Sequence, residues 1–332
     1  MKIEFNFYVK INRKDDDNYQ VSKLGKVECS VKTTYPTSRL PSVRKKRRIS
    51  AKLSPWLFLA PAMIIFSVYV LYPILSSISL SFYNWDGMGE KTWVGFGNYV
   101  ELFDSEAFYT SLKNNLLWLI FYMLAPPIGL LIALFLNQQV KGIRIVKSLF
   151  FFPFVISQVV VGLVFAWFYD PSFGLFNIVI GALGFEPIAI LANEDYVTFG
   201  IIAAGLWPQI AYCMILYMTG LNNLDAEQLE AARLDGAKRF KMLWYVVLPQ
   251  LRPATFIAIV VTIIGALRSF DLVATMTAGG PWGSSSVLAY QMYEESIFNY
   301  RMGYGAAVSV VLFLIMGVYI AYFLWRMLRS EK

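Results

Sequence analysis

Six stretches of this chain contain no Asp, Glu, Lys or Arg: residues 56–82, 116–136, 148–169, 197–220, 254–267 and 303–325. A helix needs about 20 apolar residues to cross the hydrocarbon of a bilayer. All but one of the stretches meet that length. The exception, 254–267, reaches it by continuing past Arg268 to about Leu272. The runs are continuous and do not alternate, which excludes a transmembrane β-barrel. The expected fold is therefore an all-α membrane protein with six transmembrane helices. Composition agrees: only 15% of the 332 residues are charged, against about 25% in soluble domains.

The net charge of +7 could suggest a nucleic-acid partner, but its distribution argues for none. Arg44, Lys45, Lys46, Arg47, Arg48 and Lys52 precede the first span. Lys141, Arg144 and Lys147 lie between spans two and three. Arg233, Lys238, Arg239, Lys241 and Arg252 lie between four and five, and Arg326, Arg329 and Lys332 follow the sixth. The alternate loops hold mostly Asp and Glu, including Glu101, Asp170, Glu194 and Glu295. Lysine and arginine mark cytoplasmic loops, so both termini are expected in the cytoplasm. Residues 1–50 lack helical periodicity and are expected to be a polar, disordered tail, with the membrane domain at 51–328. The basic run at its end orients the first helix, or else binds anionic lipid head groups. It does not belong to a signal peptide, because the apolar block after it is too long.

Cys29 and Cys213 fall in the tail and in a span, so no disulfide is expected. There is no histidine, which removes HExxH metal sites and Ser-His-Asp triads.

One segment between apolar blocks, about residues 221–252, is more than a reversal of direction. Asp225 followed by Gln228 has the pattern of a capping box: the carboxylate accepts from a first-turn N–H and the amide reaches back. Leu229, Ala232 and Gly236 then share one helical face. Ala231 and Ala232 are small enough for another surface to approach closely. Gly236 can adopt φ > 0 and end the helix. A second amphipathic piece, 238–247, follows. Pro249 should stop it, and Pro253 can open the fifth span at its first turn. A short helix with a small-residue face and an acid near its start suits a cleft in a soluble partner.

The order Glu230-Ala231-Ala232, three residues, Gly236, nine residues, Val246-Val247-Leu248-Pro249 resembles the signature of the membrane subunits of binding-protein-dependent ABC importers, with Val246 in place of Ile. Asp235, Gln250 and Pro253 around it resemble the carbohydrate branch, of the maltose, trehalose and glycerol-phosphate type. So do Tyr72, Pro73 and Ile74, the run from Val94 to Tyr99, and Gly279, Gly280 and Pro281. The resemblance covers about residues 53–328 and implies a type I ABC importer permease of the bacterial inner membrane. It implies that this loop is a coupling helix docked on a cytosolic ATPase dimer, through Glu230, the small pair Ala231 and Ala232, Asp235, the Gly236 turn, Leu248 and Pro249. It also implies a second, homologous permease, a periplasmic solute-binding protein and a sugar substrate. No G-x-x-x-x-G-K-[ST] phosphate loop occurs in the sequence. The chain is thus expected to be no enzyme and to hold no cofactor, with ATP and Mg2+ bound by the partner ATPase.

Polar groups inside a span are costly and mark a cavity or a helix contact. Gln158 in span three and Trp207, Gln209 and Tyr212 in span four are the candidate sugar contacts. An aromatic face stacks on the sugar ring, and an amide bonds its hydroxyls. Pro208 removes one backbone bond and can break span four near its middle. Arg268 either pairs with Asp271 on one helical face or is free in the cavity, where it would favour an anionic sugar. Two other classes fit the sequence less well. An ion-coupled secondary transporter calls for acidic residues inside the spans, and the apolar blocks have none. A membrane-embedded enzyme calls for a nucleophile with a base or metal, and the lack of histidine counts against most of those.

Overall fold

A computed structural model describes residues 47–138 and 140–330. The expected tail, 1–50, lies almost wholly outside the described residues. The chain divides into two units, Met1–Leu59 and Ala60–Lys332. Of the first, only the start of helix α1 (Arg47–Phe66) is described.

The second unit is helical apart from a two-stranded hairpin, β1 (Tyr83–Asn84) and β2 (Thr92–Trp93), in which Tyr83 pairs with Trp93. After a π-helical turn at Ser67–Leu71 come α2 (Tyr72–Leu80), α3 (Gly97–Asp104), α4 (Glu106–Tyr122) and α5 (Ala125–Leu136). Then follow α6 (Ile143–Val155), α7 (Gln158–Phe168), α8 (Leu175–Ala182) and the long α9 (Val197–Asn222). The polar loop contributes α10 (Ala226–Leu234), α11 (Arg239–Met242), a π-helical turn (Leu243–Val247) and α12 (Leu248–Gln250). Last come α13 (Arg252–Leu267), α14 (Phe270–Met276), α15 (Leu288–Tyr293) and α16 (Met302–Ser330).

Among the described residues, five segments are long and apolar enough to cross a membrane: Pro55–Leu80, Glu106–Leu136, Val197–Asn222, Arg252–Met276 and Met302–Arg326. The sixth expected span is a bent pair. α6 and α7 meet at 99°, because Ile156 and Ser157 are both extended, with ψ 138° and 139°. The break that Pro208 permits does not occur. α9 runs unbroken through that proline, since one lost bond is a small part of a 26-residue helix held on several sides. The break falls in span three instead, where α6 packs on α9 while α7 leans mainly on α14 and only partly on α9, so the two halves have different principal neighbours.

Lipid tails are as apolar as leucine, so helices in a membrane associate by close packing and not by the hydrophobic effect. The α5–α9 contact shows this most clearly. A Cβ built on Gly129 would stand 2.7 Å from the Cys213 Cβ and 2.8 Å from the Met214 backbone nitrogen. The two backbones touch only because residue 129 has no side chain. Around this contact Ala125, Ala133, Leu136, Tyr217, Leu251 and Ala258 form a core toward the α10 end. A second core at the opposite end gathers Trp118, Tyr122, Ile201, Leu267, Val273, Leu288 and Val308. Cys213 is buried as a free thiol.

Candidate functional site

Where the spans stop packing, a cavity of about 270 Å³ opens between α4, α7, α9, α13 and α14. Its polar lining is Tyr122, Gln158, Gln209, Tyr212, Arg268, Ser269 and Asp271, set among Val261, Ile264, Gly265 and Leu272. Four of the five expected substrate residues, Gln158, Gln209, Tyr212 and Arg268, therefore meet in one place. Each arrives by its own device. Gln158 is the first residue of α7, so the bend in span three carries it into the cavity. Gln209 is held by α13: its amide donates to the Thr262 hydroxyl at 2.9 Å, and Thr262 lies 3.5 Å from the Cys213 sulfur. The Tyr212 ring stacks on Phe154 of α6, with centroids 4.9 Å apart and planes 13° from parallel.

Trp207 is elsewhere. It lines a separate apolar hollow with Val164, Phe165 and Phe168, its ring 5.9 Å from that of Phe165. Three residues in a helix turn a side chain by most of a circle. Trp207 and Gln209, two apart, therefore point to opposite sides of α9, while Gln209 and Tyr212, three apart, share the side that faces the cavity.

Arg268 and Asp271 also depart from expectation. They do not sit on one helix. α13 ends at Leu267, Arg268 caps it with φ −102° and ψ 22°, and Ser269 has ψ 55°, so α14 starts afresh. Both side chains are exposed and both line the cavity. Among the described residues the ion pairs are those of Arg301 with Glu101 and Glu295; none joins Arg268 to Asp271. Asp271 entered the sequence reading only as a partner for Arg268, and Tyr122 and Ser269 were missed. Tyr122 looked like one more aromatic in an apolar run, and no local signal marks it.

The second candidate site is the polar loop. Asp225 caps α10 as expected, its carboxylate accepting from the Glu227 N–H at 3.0 Å. The return bond comes from a different residue. The Asp225 N–H donates to the Gln250 side-chain oxygen at 2.9 Å, and the Gln250 amide donates to Gln228 at 3.1 Å. Gln228 is thus occupied by α12 and does not close a capping box. At the other end Gly236 has φ 76°. The Gly236 N–H donates to the Arg233 carbonyl at 3.1 Å and the Ala237 N–H to that of Ala232 at 2.9 Å, the paired bonds of a Schellman motif. Pro249 does not stop the second piece. The π-helical turn before it widens the ladder, and α12 carries Pro249 within its first turn, where a missing N–H costs little.

Leu229 packs inward against the core around Tyr217. Glu230, Ala231 and Leu234 face outward, Leu234 with 89% of its surface exposed. Ala231, Ala232 and Asp235 line one wall of a surface hollow of about 410 Å³, and Tyr245, Val246, Pro249 and Gln250 line the other. The two halves of the motif, far apart in sequence, thus shape one depression. Leu248 is half-buried and is not part of that lining.

Comparison with known proteins gives a consistent answer. The family model described as "Binding-protein-dependent transport system inner membrane component" matches residues 125–330. A probable ABC transporter permease protein of Pyrococcus horikoshii is 32% identical over 83% of this chain and 96% of its own. The arabinooligosaccharides transport system permease protein of Bacillus subtilis is 33% identical over 80% of this chain and 86% of its own. Among solved structures, a chain of a bacterial ABC transporter involved in the import of the acidic polysaccharide alginate superposes with a TM-score of 0.75. It is 22% identical and covers 86% of this chain and all of that one; the likeness is one of fold.

Proposed function

The chain belongs to the family of binding-protein-dependent transport system inner membrane components and has the type I ABC importer permease fold, and we propose that it forms one half of the pathway of an ATP-driven carbohydrate importer. In this reading the polar loop lies in the cytoplasm together with both termini, and the membrane is a bacterial inner membrane. Glu230, Ala231, Ala232, Asp235 and Gly236, with Leu248 and Pro249 behind them, form the surface docked on a cytosolic ATPase dimer. ATP and Mg2+ are bound there and not in this chain. A second permease completes the cavity, and a periplasmic binding protein delivers the sugar.

The observation that carries this reading is the outward face of α10. An apolar Leu234 and an acidic Glu230 stand exposed on a helix capped at both ends, and the same helix lends Ala231 and Ala232 to the lining of the hollow. A membrane protein gains nothing from such a surface alone; a soluble partner that fills the hollow explains it. The cavity supports the carbohydrate class, since amides, a phenol, a guanidinium and a carboxylate offer hydroxyl groups both donors and acceptors. Its volume lies just under the roughly 300 Å³ at which ligand pockets begin, in keeping with half of a shared site.

Purification tests the assembly. The isolated chain should hydrolyse no ATP, and from native membranes it should bring down a second six-span permease and an ATPase. ATP hydrolysis by the contaminant-free chain contradicts the reading.

A further inference from the structure

We propose that Arg268 and Asp271 together act as a charge-balanced filter that admits neutral polyhydroxylated substrates and disfavours anionic ones. The inference rests on the cavity being the substrate path, as proposed above, and adds the substrate class. A guanidinium alone in a membrane cavity would recruit a carboxylate, phosphate or sulfonate. Here the cavity lining carries an acid as well, Asp271, three residues further along the chain.

A helix break separates the two groups. On a continuous helix, residues three apart are neighbours and pair readily. The interruption at Ser269, with ψ 55°, ends α13 and restarts the chain as α14, and no ion pair forms between the two side chains. Each therefore keeps its hydrogen-bonding capacity for something else in the cavity. The guanidinium has donors only and the carboxylate acceptors only. A sugar hydroxyl is both donor and acceptor, so neighbouring hydroxyls can accept from Arg268 and donate to Asp271 at once. An anionic group satisfies Arg268 but meets the like charge of Asp271, which disfavours its ionised form there. The rest of the polar lining, Gln158, Gln209, Ser269, Tyr122 and Tyr212, is neutral, so no other charge offsets that repulsion.

The test uses the complete transporter, purified with its partner subunits and assayed without the binding protein, so that the binding protein's own selectivity does not enter. Equilibrium binding of radiolabelled neutral disaccharides is compared with that of their uronic-acid counterparts. The wild type should prefer the neutral member of each pair. Asp271→Asn should shift the preference toward the uronate by about tenfold, Asp271→Glu should keep the wild-type order, and Arg268→Gln should weaken both without favouring the uronate. Co-purification of the partner subunits shows that each variant is folded. A wild type that prefers uronates, or binds neither member, overturns the proposal, as does Asp271→Asn with unchanged preference. Gln209→Ala separates the two levels: if it weakens binding while Asp271→Asn leaves the preference alone, the cavity stands and the filter falls. If neither variant changes binding, the cavity itself is misassigned.

Discussion

The polar loop and the membrane cavity are built in opposite ways. The loop is a local object. Its cap, its glycine turn and its inward leucine lie within a dozen residues of one another, and a single reach from Gln250 ties it to α12. The cavity has no local existence: its polar lining comes from α4, α7, α9, the end of α13 and the start of α14. It exists only while those helices keep their distances. A local device can be altered without loss of the fold, whereas a cavity made of gaps between helices inherits every packing error around it.

That contrast orders the expected effects of substitution. The largest belongs to the packing beneath the cavity. Gly129→Leu forces a side chain into the Cys213 and Met214 contact, where overpacking costs about 1–3 kcal/mol or more. The level of folded protein in membranes should fall severalfold, as quantified by immunoblot and fluorescence-detected size exclusion; normal levels would mean that α5 and α9 tolerate separation and the contrast is false. Next comes the loop. Glu230→Lys reverses a charge on the outward face of α10, and Gly236→Pro forbids its φ of 76°. Both should abolish uptake while leaving membrane levels unchanged. Retained uptake with normal ATPase association removes the proposed docking role.

Smaller effects sharpen the same comparison. Gln250→Ala removes two exposed hydrogen bonds, each worth about 0.5–1.5 kcal/mol at most. Uptake should drop less than about tenfold, and the level of folded protein should fall far less than for Gly129→Leu. Smallest of all is Trp207→Ala. Its ring lies outside the polar cavity, so uptake should change less than for Gln209→Ala, which removes a lining amide and leaves the Thr262 hydroxyl with Cys213 as its partner. If Trp207→Ala is the more damaging of the two, the substrate path runs through the apolar hollow and not through the cavity.

How much the sequence disclosed follows the same division. The spans were legible because charge-free runs of about 20 residues have few other uses. The α10 helix was legible because caps and glycine turns act on their neighbours in sequence. Gln228 was misread because the residue that bonds the Asp225 N–H lies 25 positions further on, and no periodicity points to Gln250. In the cavity, Gln158, Gln209, Tyr212 and Arg268 stood out as polar residues in apolar surroundings. Asp271 was misplaced because the break at Ser269 has neither proline nor glycine to announce it. Conversely, Pro208 announced a break that does not happen. In both cases the neighbouring helices, not the local residue, decide whether the chain bends.

Asp271 also gives the rival reading some footing, since it places an acid inside a segment long enough to span the membrane, which an ion-coupled transporter would need. The decisive measurement is therefore uptake of labelled sugar into inverted-free, right-side-out vesicles that hold the complete assembly, with ATP supplied inside and the ion gradients collapsed by ionophores. Uptake should persist with internal ATP and disappear without it. Uptake that needs no ATP and follows an imposed proton or sodium gradient would contradict the account.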